Sequence, residues 1–169
     1  MPAVNEVLVD GFNRVQESVR AAVEGLTTEQ LAQRVAPEAN TIAWLVWHLA
    51  RVEDDHVSDL AGTDQIWTSD GWASRFGLPF EESVTGYGQS SQEVARVEVS
   101  AALLSGYYDA VHERTVGYLD GLDEVRLGDV IDDAWDPPVT RAVRLVSVLN
   151  DTTQHVGQAA FVRGLLDGP

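Results

Sequence analysis

In the stretch "NDTTQHVGQ", residues 150–158, Asp151 and His155 stand four positions apart. On a helix that spacing turns by about 40° and climbs about 6 Å, so the two side chains leave one face as neighbours. The surrounding segment, "TRAVRLVSVLNDTTQHVGQAAFVRGLL", has helical periodicity, and the pair falls in line with Val148, Ala159 and Val162, the row a helix turns toward a core. His48, in "TIAWLVWHLARVEDDH", holds the same kind of place on another segment, one turn after Trp44 and one turn before Val52. A carboxylate and two imidazoles brought inward from facing helices make an N,N,O set suited to a divalent metal, with coordination positions left open. The same residues also read as a hydrogen-bonded polar core, with Asp151 joined to His155 and His48 satisfied by backbone or a tyrosine hydroxyl.

The neighbourhood of these three supplies further candidates. Gly157 costs about 1 kcal/mol in mid-helix relative to Ala, which predicts close approach of a neighbouring helix there. Gln158, seven residues after Asp151, is placed either to hold a ligand by hydrogen bond or to sit on a wet rim. Asp55 follows His48 by seven and shares its face, as a supporting carboxylate or as part of a solvated acidic run with Glu53 and Asp54. His56 is about 80° off that face and reads as packing or surface. His112, one turn after Tyr108, is a proton carrier if it lines the cavity and a surface histidine otherwise. Trp44, Trp47, Trp67, Trp72 and Tyr87 are core aromatics or the wall of an organic-substrate pocket, the loop pair Trp67 and Trp72 being the better pocket candidates.

Four helical segments position these residues, and no segment alternates as a strand over a useful length. The first covers about 4–25, with Val4, Leu8, Phe12, Val15, Val19 and Val23 on its stripe and Gly25 as its stop. A short helix follows in "LTTEQLAQRV", where Thr27 and Gln30 have capping-box spacing. The second long helix starts at Asn40 or Thr41 and ends at Gly62. Residues 63–89 are irregular and aromatic-rich, which suggests a loop folded over an opening in the bundle. Ser90 and Glu93 repeat the capping-box spacing, and the third long helix runs on through "SAALLSGYYDAVHERTVGYLDGL". Pro137 and Pro138 make "DDAWDPPVT" a turn, after which Thr140 caps a fourth helix reaching about Leu166. Four amphipathic helices of this length predict an all-α four-helix bundle forming a single domain over 1–169.

Bulk properties exclude several functions. With 27 acidic against 11 basic residues the formal charge is -16, which repels nucleic-acid phosphates and anionic lipid, so neither is expected as a partner. All the basic residues are Arg, so lysine Schiff-base chemistry is out, and with no Cys there is neither a thiolate nucleophile nor Cys-ligated zinc. No basic start with an apolar run marks a signal peptide, and a cytoplasmic protein is the expectation.

The residues "TIAWLVWHLARVEDDH" and "DTTQHVGQAAFVRGLL" resemble the DinB-like superfamily of metal-binding four-helix bundles, which includes mycothiol-dependent maleylpyruvate isomerases and bacillithiol transferases. In that family a His in the second helix joins an acidic residue or His and a further His at i,i+4 in the last helix, the latter followed by Gly-Gln. The matching positions are His48, Asp151, His155, Gly157 and Gln158, and the resemblance extends over most of the chain. Many relatives carry Glu or His at the position of Asp151, whose side chain is shorter. The resemblance implies His48, Asp151 and His155 as ligands to a divalent metal, zinc first, with nickel, iron and manganese as alternatives. It also implies a low-molecular-weight thiol as cosubstrate, and the Arg-only, Ala/Val/Asp-rich composition resembles actinobacterial proteins, where that thiol is mycothiol. The expected function is a mycothiol-dependent S-transferase or isomerase acting on a small-molecule electrophile, in a homodimer as in related bundles. The alternatives are a non-catalytic metal-binding module for stress response or interaction, and a metal-dependent hydrolase.

Overall fold

The computed structural model describes residues 4–167. In chain order its elements are α1 (Val4–Val23), α2 (Thr28–Leu31), α3 (Ile42–Ala61), α4 (Ile66–Ser69), α5 (Trp72–Phe76), α6 (Ser91–Val94), α7 (Ala101–Asp120), α8 (Glu124–Leu127), β1 (Val130–Asp132), β2 (Val139–Thr140) and α9 (Arg141–Asp167). The long helices α1, α3, α7 and α9 correspond to the four periodic segments. α1 buries Leu8, Phe12, Val15, Val19, Ala22 and Val23, most of the predicted stripe, whereas Val4 is exposed. α3 starts where the Thr41 hydroxyl accepts the Trp44 backbone N–H and stops at Gly62 in the left-handed conformation. Thr140 caps α9 in the same way, accepting from the N–H of Val143.

The direction of each helix follows from its contacts. His48 lies beside His155 while Leu60 accepts from Arg141, so α3 and α9 run antiparallel. On the opposite side Gly11 meets Leu149, and Arg163 donates to the Ala21 and Glu24 carbonyls, which sets α1 parallel to α9. Asp54 pairs with Tyr107 and Leu60 with Tyr118, so α3 and α7 are parallel although they are consecutive long helices. Two parallel neighbours about 30 Å long need a crossover that returns the chain along the whole bundle. That is the physical reason for the long segment 62–100 between them.

Within that crossover the structure departs from the expected irregular loop, since it contains α4, α5 and α6. The Ser90–Glu93 capping box closes α6 alone, and the third long helix starts separately with Ser100 accepting from the Leu103 N–H. The all-α expectation meets a small exception, the antiparallel pair β1 and β2 just before α9, joined by the residues that include both prolines. Gly157 does not meet a neighbouring helix: a Cβ there would face open space. The close approach to α9 is made by Gly11 of α1, where a Cβ would come within 2.7 Å of Leu149 Cδ2. No helix among the described residues is long and apolar enough to cross a membrane.

Candidate metal centre

His48 and the Asp151–His155 pair come together across the α3–α9 contact, the most extensive helix pairing in the fold. One ligand atom from each of the three residues lies within 4.8 Å of the others. The His48 and His155 ring centroids are 4.7 Å apart and nearly perpendicular, and Trp44 stacks on His48 at 4.6 Å. His48 is buried, and Asp151 and His155 are half-buried. Ligand atoms about 2.1 Å from a tetrahedral metal are about 3.5 Å apart, so small side-chain movements would close the set on an ion.

Hydrogen bonds settle which nitrogen each imidazole offers. His48 Nδ1 is 2.6 Å from the Thr85 carbonyl, which only accepts, so Nδ1 carries the proton and the neutral ring presents the Nε2 lone pair. His155 does the same on its own helix, its Nδ1 donating to the Asp151 carbonyl at 2.8 Å. With that proton committed, Asp151 Oδ2 sits 3.3 Å from His155 Nδ1, buried and without a hydrogen-bond partner. A buried carboxylate oxygen left unsatisfied is costly, and a cation between it and the two Nε2 atoms would satisfy it. The residues present therefore fit a divalent metal.

Electrostatics points the same way. Burial lowers the pKa of His48, outweighing its bond to Thr85, so the ring is neutral and free to ligate near pH 7. The Asp151 carboxyl is raised by burial but pulled lower overall by its contact with His155 and the charges of the histidines, and it is ionised. That same contact with Asp151 raises the pKa of His155 against the effect of burial. A proton and a metal ion would compete for this ring.

The crossover segment, not α3 alone, orients His48. Thr85 precedes Gly86, whose φ of +97° lies where residues with a side chain are strained. A Cβ on Gly86 would reach 2.8 Å from His48 Nδ1 and 3.0 Å from Trp47. Two buried charges hold this segment down. Arg51 donates to the Val84 and Glu82 carbonyls and to the Gln65 side chain, and lies over the Trp67 ring. Asp54 accepts from the backbone N–H groups of Ile66 and Trp67 at the start of α4, and from Ser58 and Tyr107. Arg51, Glu53 and Asp54 are fully or almost fully buried. The structure thus corrects the reading of Glu53 and Asp54 as a solvated face. Glu53 accepts from Tyr108 and Thr115 in the bundle interior, where burial pushes its pKa up to about 7 despite those two bonds.

The other candidates lie elsewhere. Asp55 is held by Gln65 Nε2 at 2.6 Å, beside the crossover. His112 bonds Asn13 of α1, across the bundle from the trio. Gln158 is exposed on α9, the rim position. Trp67 is in the core against Tyr107 and Phe76, Trp72 packs on Tyr107 under Arg75, and Tyr87 is exposed, so of the five aromatics Trp44 is the one that faces the trio. His56 reaches α9 after all, its Nδ1 accepting from Arg144 at 3.2 Å. Sequence reasoning missed Thr85, Gly86 and Arg144. Only the turn-forming "TGYG" offered a signal, and it gave no partner.

Comparisons with known proteins bear on the family and the fold. A family model described as mycothiol-S-transferase matches residues 7–168. A crystal structure of a conserved protein from Enterococcus faecalis is 35% identical, with a TM-score of 0.93 and complete coverage of both chains. A DinB-like protein from Bacillus cereus is 21% identical with a TM-score of 0.60, over 93% of this chain and 89% of that one, and shows the same fold. No curated protein matches the sequence.

Proposed function

Since the chain belongs to the mycothiol-S-transferase family and has the DinB-like fold, we propose that it is a divalent-metal protein that transfers a low-molecular-weight thiol, mycothiol, to a small-molecule electrophile. The observation that carries this reading is the inward trio of His48, Asp151 and His155, with one ligand atom of each within 4.8 Å of the others and the buried Asp151 Oδ2 left unsatisfied. The ion expected there, zinc first, would lower the pKa of a bound thiol and keep its sulfur nucleophilic near neutral pH. The chain has no Cys, so the sulfur must come from a cosubstrate. Thr85 and the Asp151 carbonyl fix the imidazole tautomers, Asp151 supplies the anionic ligand, and Trp44 shields one face of His48 from water. Three protein ligands leave room for a thiol, which a closed four-ligand site would not. A cytoplasmic setting, where such thiols are kept reduced, fits this chemistry.

The test is elemental analysis of the purified protein followed by a conjugation assay with mycothiol and an electrophile such as monochlorobimane. One equivalent of metal and metal-dependent S-alkylation are expected. Bound metal without thiol turnover would favour a binding module, and metal-dependent ester cleavage without thiol would favour a hydrolase.

A further inference from the structure

The groove between α3 and α9 continues past the trio. One to two turns along α3 it opens into a cavity of about 310 Å³ lined by Val52, His56, Arg144, Ser147, Val148 and Asp151. Asp151 belongs both to this wall and to the trio, so a molecule in the cavity has one end beside the site. Sites for small organic ligands begin at roughly this volume.

The donors in this wall are underused. A guanidinium carries five N–H groups. Arg144 spends one on His56 Nδ1, and its Nη2 lies 3.8 Å from Asp132 Oδ2, beyond hydrogen-bond reach. Other inward arginines are engaged more fully: Arg51 donates to three oxygens, and Arg141 to the Leu60 and Arg126 carbonyls and the Tyr118 hydroxyl. Because His56 Nδ1 accepts from Arg144, the proton of the neutral ring is on Nε2, which makes a second donor in the cavity wall. Ser147 donates to the Val143 carbonyl, and Val52 and Val148 are apolar. Arg144, ion-paired with Asp132 only at that longer range, is the one cation among the described residues of a wall that also holds the Asp151 carboxylate at its far end, and its free donors suit an anionic group bound beside it.

We propose that this cavity is a carboxylate subsite, in which Arg144 and His56 hold a carboxylate of the electrophile while its reacting carbon points back toward His48, Asp151 and His155. The inference rests on the S-transfer reading above and names its substrate class. Arg144 and Asp151 are seven residues apart, about 10 Å along the helix axis, so the carboxylate and the reacting carbon must be separated by a spacer such as one aromatic ring.

The test uses 4-methylbenzoate and its neutral twin 4-methylbenzamide as unreactive probes, titrated by calorimetry into metal-free protein so that the acid cannot bind through the ion. The acid is expected to bind at least tenfold more tightly than the amide. Arg144→Gln should erase that preference, Arg144→Lys should retain part of it, and zinc affinity should change less than twofold in both variants. Equal binding of acid and amide by the unaltered protein, or an acid preference that survives Arg144→Gln, would overturn the subsite and leave the thiol-transfer reading standing. Conversely, a protein that binds the acid through Arg144 but takes up no zinc would keep the subsite as an anion site and defeat the metal-centred reading.

Discussion

The Nδ1 of His48 donates to the backbone carbonyl of Thr85 at 2.6 Å, which ties α3 to the crossover that passes over it. This bond fixes the tautomer and leaves Nε2 as the nitrogen His48 can offer to a metal. Partners of this kind, one step removed from a metal, typically change its affinity 10- to 100-fold.

Replacing Gly86 should therefore disturb the centre from outside it. In Gly86→Ala the new Cβ would meet His48 Nδ1 at 2.8 Å, at a φ of +97° that alanine rarely adopts. Strain of this kind costs about 1–3 kcal/mol. Urea unfolding of the metal-free protein should show that loss, and calorimetry should show zinc binding weakened at least tenfold. Unchanged zinc affinity would mean that the crossover does not orient His48.

Removing one ligand should empty the site without melting the helix. His155 is half-buried on a helix with 27 residues, so His155→Ala should keep the far-ultraviolet circular dichroism of the parent while zinc stoichiometry falls from one to near zero. The parent should gain thermal stability on zinc addition, by about 2.7 kcal/mol at a hundredfold excess over Kd, and the variant should gain almost none. Retained stoichiometric zinc in the variant would move the site elsewhere.

Glu53 should give stability an unusual pH dependence. Its carboxyl is raised from 4.5 to about 7 in the folded protein, so the folded form holds the proton more tightly than the unfolded chain. Its contribution is thus greatest below pH 4.5, declines as pH rises toward 7 and is constant above. At about 1.4 kcal/mol per unit the loss is about 3 kcal/mol. Glu53→Gln cannot ionise, so relative to the parent it should be more favourable at pH 8 than at pH 4.5. Equal differences between the two proteins at both pH values, read from urea midpoints, would contradict the buried-acid assignment.

Asp54 should matter more than a surface acid does. It accepts from two backbone N–H groups, a serine and a tyrosine, all in the interior. Asp54→Ala leaves those donors unsatisfied beside a buried Arg51, a loss of about 3–5 kcal/mol. Hydrogen exchange of the Ile66 and Trp67 amides should accelerate strongly, and slow exchange in the variant would show that Asp54 does not anchor the crossover.

The four helices were legible because each carries its own signal: the stripe from Leu8 to Val23, Thr41 and Thr140 as caps, Gly62 as a stop. The trio was legible as a pattern because the i,i+4 pair and His48 lie on apolar rows, and the geometry then brought the two rows face to face. What could not be read was whatever depends on long-range pairing. Glu53 and Asp54 look like surface in "RVEDDH", and only the parallel packing of α3 on α7 brings Tyr107, Tyr108 and Thr115 to them. Thr85 acts through its carbonyl, and a backbone acceptor has no residue type to betray it. The Gly157 expectation failed for a related reason: the cost of glycine in a helix is local, but which glycine faces a neighbour depends on how the helices dock, and against α9 it is Gly11.

Diffraction from crystals of the zinc-loaded protein, recorded on both sides of the zinc absorption edge, tests the central claim most directly. One anomalous peak should appear within about 2.0–2.2 Å of His48 Nε2, His155 Nε2 and an Asp151 carboxylate oxygen, with at least one position open to solvent. A peak held by other residues, or none at full zinc loading with the three side chains hydrogen-bonded to one another, would contradict it.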